Sequence, residues 1–138
     1  MHKAKACVIT CMDFRFQNKT QKFIERKGWL GECDEIILAG ASRDLVKPIK
    51  PYHKISLLRQ LKLSIQLHDP KEIIIIDHQD CGGYAQDKTI PSGLEIEEDK
   101  NMHKEYAKQA YELLSKKYPD RKISIYFAKF DGKFVKLI

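Results

Sequence analysis

Residues 72–77 contain an uninterrupted apolar run of four isoleucines, between Glu72 and Asp77. Isoleucine is β-branched and favours strands, and the run is too short for an ordinary buried helix. A strand with one face in solvent alternates apolar and polar residues, whereas this run does not. It therefore predicts a strand buried on both faces, as in a parallel sheet covered by helices.

Two shorter runs of the same kind precede it, at residues 6–10 and 35–38. Helical patterns lie between the three runs, over residues 17–27 and from about 56 to 68. Strands that alternate with helices predict right-handed crossover connections. The fold class is therefore α/β, with a mostly parallel sheet flanked by helices.

The pattern changes in the last third of the chain. A third helix is predicted over residues 97–118, because acidic residues lead it and lysines close it. Residues 122–130 then read as a strand, followed by Asp131-Gly132, a strong hairpin signal. Residues 133–138 would return antiparallel, so the sheet is expected to end in an antiparallel edge strand.

The second predicted helix carries apolar residues on two faces. Leu58, Leu61 and Ile65 share one stripe, and Leu63 and Leu67 lie opposite to them. Two interpretations stay open for the second face. It holds either two ordinary exposed leucines or a surface that a second copy of the chain covers.

Length and composition limit the class of protein. The 138 residues fit one domain spanning 1–138, and the 43% hydrophobic and 32% charged fractions are typical of a globular chain. No apolar run approaches the roughly 20 residues of a membrane span, and no secretory signal is evident, so a cytoplasmic location is expected. The net charge of +6 comes from basic residues interspersed with acids, which does not indicate nucleic-acid binding.

Residues with chemistry follow two of the predicted strands directly. Cys11, Asp13 and Arg15 come after the first strand and would project to one side if the chain stayed extended. His78 and Cys81 come after the third strand, on a loop that can bring both to one ion. In an open α/β sheet, ligand sites collect beyond the strand ends at the switch point. A spatial order of 2-1-3 would unite both groups there.

The donor types favour one metal. Two thiolates and an imidazole suit Zn²⁺, and three protein ligands leave a fourth position for water, which indicates catalysis. Asp13 is placed to accept or guide a proton from that water, and Arg15 can pair with Asp13. If Arg15 released it, Asp13 would become a fourth ligand that closes the site.

Together these motifs resemble those of the β-class carbonic anhydrases, Cys11-x-Asp13-x-Arg15 and His78-x-x-Cys81-Gly82, with Ala39-Gly40-Ala41 resembling a glycine segment of that family. The resemblance implies Cys11, His78 and Cys81 as zinc ligands and Asp13 with Arg15 as the catalytic dyad. It also implies a strand order of 2-1-3-4 with an antiparallel fifth strand, and self-association into a dimer or higher assembly. The implied reaction is reversible hydration of CO₂ to bicarbonate by metal-bound hydroxide.

The chain departs from the family pattern at several points. Family members carry N-terminal helices that wrap a partner subunit, whereas here the first strand begins within the first few residues. Phe14 stands where the family commonly has a small serine, and Ser42-Arg43-Asp44 is not its usual continuation after the glycine segment. The pocket glutamine of the family is not located in this sequence.

Two other functions remain as alternatives. The same site would suit another small electrophile, such as carbonyl sulfide or carbon disulfide, or a non-catalytic zinc-stabilised binding domain. A thiol phosphatase is disfavoured, because three residues between Cys11 and Arg15 are too few for a phosphate-cradling loop.

Simpler interpretations apply to several other residues. Cys7 is expected in the core, and Cys33 is expected to be a thiol without a function. Gly82 and Gly83 are expected to give the turn its positive φ angles. His103, among polar neighbours, is expected at the surface.

Overall fold

A computed structural model describes residues 2–138 of the chain. The elements, in order, are β1 (Ala6–Cys11), α1 (Gln17–Arg26), β2 (Cys33–Leu38), α2 (Arg43–Val46), α3 (Pro51–His68), β3 (Glu72–His78), α4 (Ile96–Lys117), β4 (Lys122–Ala128) and β5 (Phe134–Lys136). A 3₁₀ turn, Phe14–Phe16, lies between β1 and α1. Strands and helices alternate as far as β4, as the sequence predicts.

The five strands form one sheet in the order β2-β1-β3-β4-β5. The first four strands in this order are parallel to one another, and β5 is antiparallel to β4. This confirms the α/β class and the expected strand order. Residues 73–78 of β3 are all buried, as the unbroken apolar run predicts.

Helices cover both faces of the sheet, and alternate strand residues reach different cores. Phe23 and Ile24 of α1 pack with Val8 and Ile74 on one face. Helices α2, α3 and α4 pack on the other face, which includes Ile75. The connection from β1 to β2 therefore runs over one face, and the connection from β2 to β3 runs over the other. The switch point falls between β1 and β3.

Helix α3 begins earlier than the expected position near residue 56. Pro51 is its first residue, a position where the fixed φ of proline suits a helix and its missing N–H costs nothing. Leu57 and Leu61 are fully buried, so the stripe is rotated slightly from the predicted one. Leu67 is exposed on the opposite face. None of the helices within residues 2–138 combines the length and apolarity that a bilayer span requires.

The C-terminal hairpin is confirmed, with shorter strands than predicted. Ala128 pairs with Phe134, so the turn occupies the five residues between them. The Gly132 N–H donates to the Lys129 carbonyl oxygen at 3.0 Å, and Gly132 has a φ of +88°. Glycine adopts this left-handed conformation without steric cost, which explains the Asp-Gly signal.

The buried strand residues make a first prediction. Ile75→Ala should lower the free energy of unfolding by about 2–5 kcal/mol, because Ile75 has no exposed surface and its truncation leaves a cavity. Ile37→Ala in edge strand β2, where the side chain is 57% exposed, is the matched control and should cost less than about 1 kcal/mol. Urea unfolding measures both, and equal losses would contradict the assignment of the two strands.

Candidate metal centre

The three predicted ligands meet at the switch point. Cys11 is the last residue of β1, His78 is the last residue of β3, and Cys81 follows three residues later. Parallel pairing of β1 with β3 places the two strand ends side by side. The two Sγ atoms and a ring nitrogen of His78 all lie within 4.8 Å of one another, with 3.9 Å between the sulfurs.

The surroundings of His78 fit a metal ligand. Its Nδ1 lies 2.8 Å from the Gln79 carbonyl oxygen, so Nδ1 carries the proton and donates it, which leaves a lone pair on Nε2. Nε2 is buried and has no hydrogen-bond partner among residues 2–138. The ring stacks on Phe16 at a centroid distance of 4.3 Å, which fixes its direction. A buried lone pair without a donor is satisfied by a metal ion.

The two sulfurs have a separation that suits zinc. Tetrahedral Zn²⁺ with bonds of about 2.3 Å to sulfur would separate two thiolates by about 3.8 Å. The Gly40 N–H donates to Cys11 Sγ at 3.4 Å, a contact that supports a thiolate. The donor set and its spacing therefore fit Zn²⁺.

One of the two thiols loses its proton much more readily than the other. A hydrogen bond from Cys81 lowers the pKa of Cys11 well below its usual range, against the effect of burial, and the Gly40 N–H adds to the lowering. The same hydrogen bond and burial raise the pKa of Cys81. Repulsion between two close thiolates opposes loss of the second proton, and a divalent cation removes that opposition.

Asp13 and Arg15 form the predicted pair, but the backbone between them is not in the expected extended conformation. The chain does not stay extended after β1, because Asp13 caps the 3₁₀ turn and accepts the Arg15 backbone N–H at 2.9 Å. The Arg15 guanidinium donates from Nη2 to Asp13 Oδ2 at 2.6 Å and from Nε to Oδ1 at 3.0 Å. These bonds hold the pKa of the Asp13 carboxyl below its usual range, so it is ionised at neutral pH.

The pair borders the three ligands. Asp13 Oδ2 lies 3.7 Å from His78 Nε2 while it keeps its bonds to Arg15. A cavity of about 370 Å³ opens above them. Its lining residues are Cys11, Met12, Asp13, Phe14, Arg15, Ala39, Gly82 and Gly83. Met12 and Phe14 are 68% and 82% exposed, so an apolar rim surrounds a charged floor.

The expected role of Gly82 and Gly83 is wrong. Neither has a positive φ; in this region Asp80 and Gly40 do, at +55° and +80°. A Cβ at Gly83 would lie 2.2 Å from the Gly40 nitrogen, whereas a Cβ at Gly82 would meet nothing within 4 Å. Gly83 is therefore needed for close contact between two loops, and that contact places the Gly40 N–H against Cys11.

The surface position expected for His103 is also wrong. His103 is 0% exposed on α4, with Nδ1 3.5 Å from Asp77 Oδ2 and Nε2 3.4 Å from Asp99 Oδ1. The sequence held a signal for this burial, because His103 lies at helical spacing from three buried residues of α4, Ala107, Ala110 and Leu114. Cys7 is buried in the core as expected.

Comparison with known proteins agrees with this fold. Residues 1–137 match the family described as "Putative carbonic anhydrase", and the chain belongs to that family. An uncharacterized protein of Rickettsia bellii is 26% identical over 132 residues, which cover 96% of this chain and 80% of that protein. An uncharacterized protein of Rickettsia conorii is also 26% identical, over 136 residues that cover 96% of this chain and 71% of that protein.

Solved structures share the fold. A carbonic anhydrase from Streptococcus mutans superposes with a TM-score of 0.63 at 20% identity, over 99% of this chain and 83% of that one. One of two tetrameric β-carbonic anhydrases from Sordaria macrospora superposes with a TM-score of 0.55 at 12% identity, over 99% of this chain and 82% of that one. The apo form of a carbon disulfide hydrolase superposes with a TM-score of 0.54 at 19% identity, over 94% of this chain and 76% of that one. At these identities the likeness establishes the β-carbonic-anhydrase fold.

The contact between the two glycines predicts a difference between neighbouring substitutions. Gly83→Ala should weaken zinc binding by about 10-fold or more, because the added Cβ forces the Gly40 backbone away from Cys11 Sγ. Gly82→Ala has open space at its Cβ and should retain zinc affinity near the wild-type value. Competition with a chromophoric chelator measures both, and equal affinities would contradict this role for Gly83.

The burial of His103 predicts a pH dependence of stability. Burial disfavours the imidazolium, but Asp77 on β3 and Asp99 on α4 outweigh it and raise the pKa of His103 from 6.5 to about 9; Tyr84 also contacts the ring. Because the folded-state pKa is the higher one, the stabilisation is complete below pH 6.5 and is lost as the pH rises through 9. Its size is about 3 kcal/mol.

His103→Gln isolates this contribution. Urea unfolding of wild type and variant from pH 6 to pH 10 should show a stability difference that is largest near pH 6 and declines toward pH 10. A difference that stays constant across this range would contradict a charged His103 in the folded protein.

Proposed function

We propose that this protein is a zinc enzyme that hydrates CO₂ reversibly to bicarbonate, with Cys11, His78 and Cys81 as metal ligands. The observation that carries the proposal is the ionised Asp13, clamped by Arg15 and 3.7 Å from the unpartnered His78 Nε2. A structural zinc site needs no such pair. Family membership and the fold support the same reaction.

The chemistry divides between the metal and the chain. Zn²⁺, when bound, supplies a Lewis acid that lowers the pKa of a water molecule in its open position. Asp13, while ionised, can only accept hydrogen bonds. It would accept one from the O–H of that water and thereby orient the water's oxygen toward the substrate. Arg15 keeps Asp13 ionised and fixes its direction.

The cavity suits a small apolar substrate. CO₂ would enter past the exposed Met12 and Phe14 and reach the charged groups at the floor. Gly82 and Gly83 have no side chains that would fill this space. Bicarbonate, unlike CO₂, is charged and hydrated, so the same apolar rim favours its release to water.

A closed state remains part of the proposal. If Arg15 turned away, the Asp13 carboxylate would be free to become a fourth ligand and exclude water from the metal. In the structure described here Arg15 holds Asp13 through both carboxylate oxygens. That arrangement supports the open form in this proposal.

Assembly and location are also proposed. We expect residues 1–138 to form one domain that assembles into a dimer or a higher oligomer, in line with the tetrameric Sordaria macrospora proteins. Exposed Ile37 lies beside the candidate site and would be covered in such an assembly. Light scattering gives the mass. Four free cysteines suit the reducing cytoplasm.

Stopped-flow CO₂ hydration tests the reaction. The zinc-loaded protein should show a zinc-dependent rate, which Cys81→Ser abolishes by removing a ligand and Asp13→Asn lowers by about 100-fold or more. Cys33→Ser is the matched control, since burial raises the pKa of this half-buried thiol to about 11 and it lies outside the site. Absence of any zinc-dependent rate would refute CO₂ hydration.

The same preparation distinguishes the two alternatives. The fold shared with a carbon disulfide hydrolase favours carbon disulfide or carbonyl sulfide as the second candidate substrate class. Zinc-dependent turnover of either one, without CO₂ hydration, would assign that activity. A non-catalytic zinc domain would turn over none of them, and zinc X-ray absorption would show Asp13 bound at every pH from neutral to alkaline.

A further inference from the structure

The turn that carries Cys81 to the metal centre has an unusual conformation. Asp80, directly before Cys81, has a φ of +55°, which residues with side chains adopt uncommonly. Its backbone N–H donates to Asp99 Oδ2 on α4 at 2.8 Å. The turn also borders a cavity of about 180 Å³, so packing does not support it on that side. The bond to Asp99 is therefore a principal restraint on the turn.

The same turn holds the second partner of Arg15. Arg15 Nη1 donates to Asp80 Oδ2 at 3.1 Å, and Nη2 donates to the Asp80 carbonyl oxygen at 3.0 Å. The guanidinium thus lies between Asp13 and Asp80. A shift of Asp80 would move both the Cys81 sulfur and the group that orients Asp13.

Asp99 itself depends on His103. Asp99 is only 6% exposed, and a buried carboxylate requires a compensating charge or donor. His103, one turn later on α4, supplies it through Nε2 at 3.4 Å. Asp77 Oδ2, Tyr84 and Phe127 enclose the rest of the imidazole ring. Neither Asp99 nor His103 belongs to the ligands or the dyad.

We propose that Asp99 and His103 are positioning residues, with Asp99 fixing the Asp80–Cys81 turn and His103 fixing Asp99. Through this turn they set the affinity of the three ligands for zinc and the orientation of Arg15. The part that concerns Arg15 rests on the proposed function. The part that concerns the metal ligands requires only that the site binds zinc.

Zinc affinity and backbone exchange test the proposal without a turnover assay. Asp99→Ala should weaken zinc binding by about 10-fold, measured by competition with a chromophoric chelator. It should also speed hydrogen exchange of the Asp80 amide, measured by NMR. Asp99→Asn keeps an acceptor oxygen for that amide and should restore most of both.

A matched control lies at the opposite end of the sheet. Asp34 on β2 accepts hydrogen bonds from Ser64 Oγ at 2.6 Å and contacts His68 Nδ1 at 2.8 Å, so it too joins a helix histidine. Asp34→Ala should leave zinc affinity and Asp80 exchange unchanged. Wild-type zinc affinity in Asp99→Ala, or an equal loss in Asp34→Ala, would overturn the proposal.

A second variant decides the outcome if Asp99→Ala does not fold. His103→Leu leaves Asp99 without a cation or a donor, so weaker zinc binding and faster Asp80 exchange are expected, and wild-type values for both would overturn the proposal. Failure of CO₂ hydration in the wild type would refute the proposed function alone, because neither measurement here involves turnover.

Discussion

The parallel pairing of β1 with β3 is the interaction on which the candidate metal centre depends. It brings Cys11 beside His78 although 66 residues separate them in the chain. Both strands are buried on both faces by helices, so the register between them cannot slip without moving apolar side chains out of their cores. A stable pair of strand ends thus gives two ligands from distant segments one fixed separation.

Concentrated negative charge at the strand ends explains much of the surrounding structure. Two thiols and the Asp13 carboxylate lie close together, and a donor is directed at Cys11 and at Asp13. The Gly40 N–H contacts Cys11, and Arg15 clamps Asp13. These donors stabilise anionic ligands and still leave His78 Nε2 unpartnered among residues 2–138, which is the arrangement a divalent cation completes.

A second set of charged groups lies behind this site. Asp77, Asp99 and His103 are buried together, so their charges interact in a medium of low dielectric and are costly to separate. Asp99 connects this set to the turn before Cys81. Residues of β3 and α4, distant in the chain, are thereby connected to the backbone next to Cys81.

The sequence alone predicted the strands, their order through the family resemblance, and the five residues proposed for the site. A local run of β-branched residues indicates a buried strand, and the type of each side chain decides whether it can bind a metal ion. The tertiary structure was needed to show the 3₁₀ turn at Asp13, the need for glycine at Gly83, and the buried contact of His103 with Asp77. The turn at Asp13 lets Arg15 contact Asp80, the Gly40 backbone leaves no room for a side chain at Gly83, and Asp77 of β3 lies against His103. Such contacts join residues far apart in the chain, and no local pattern contains them.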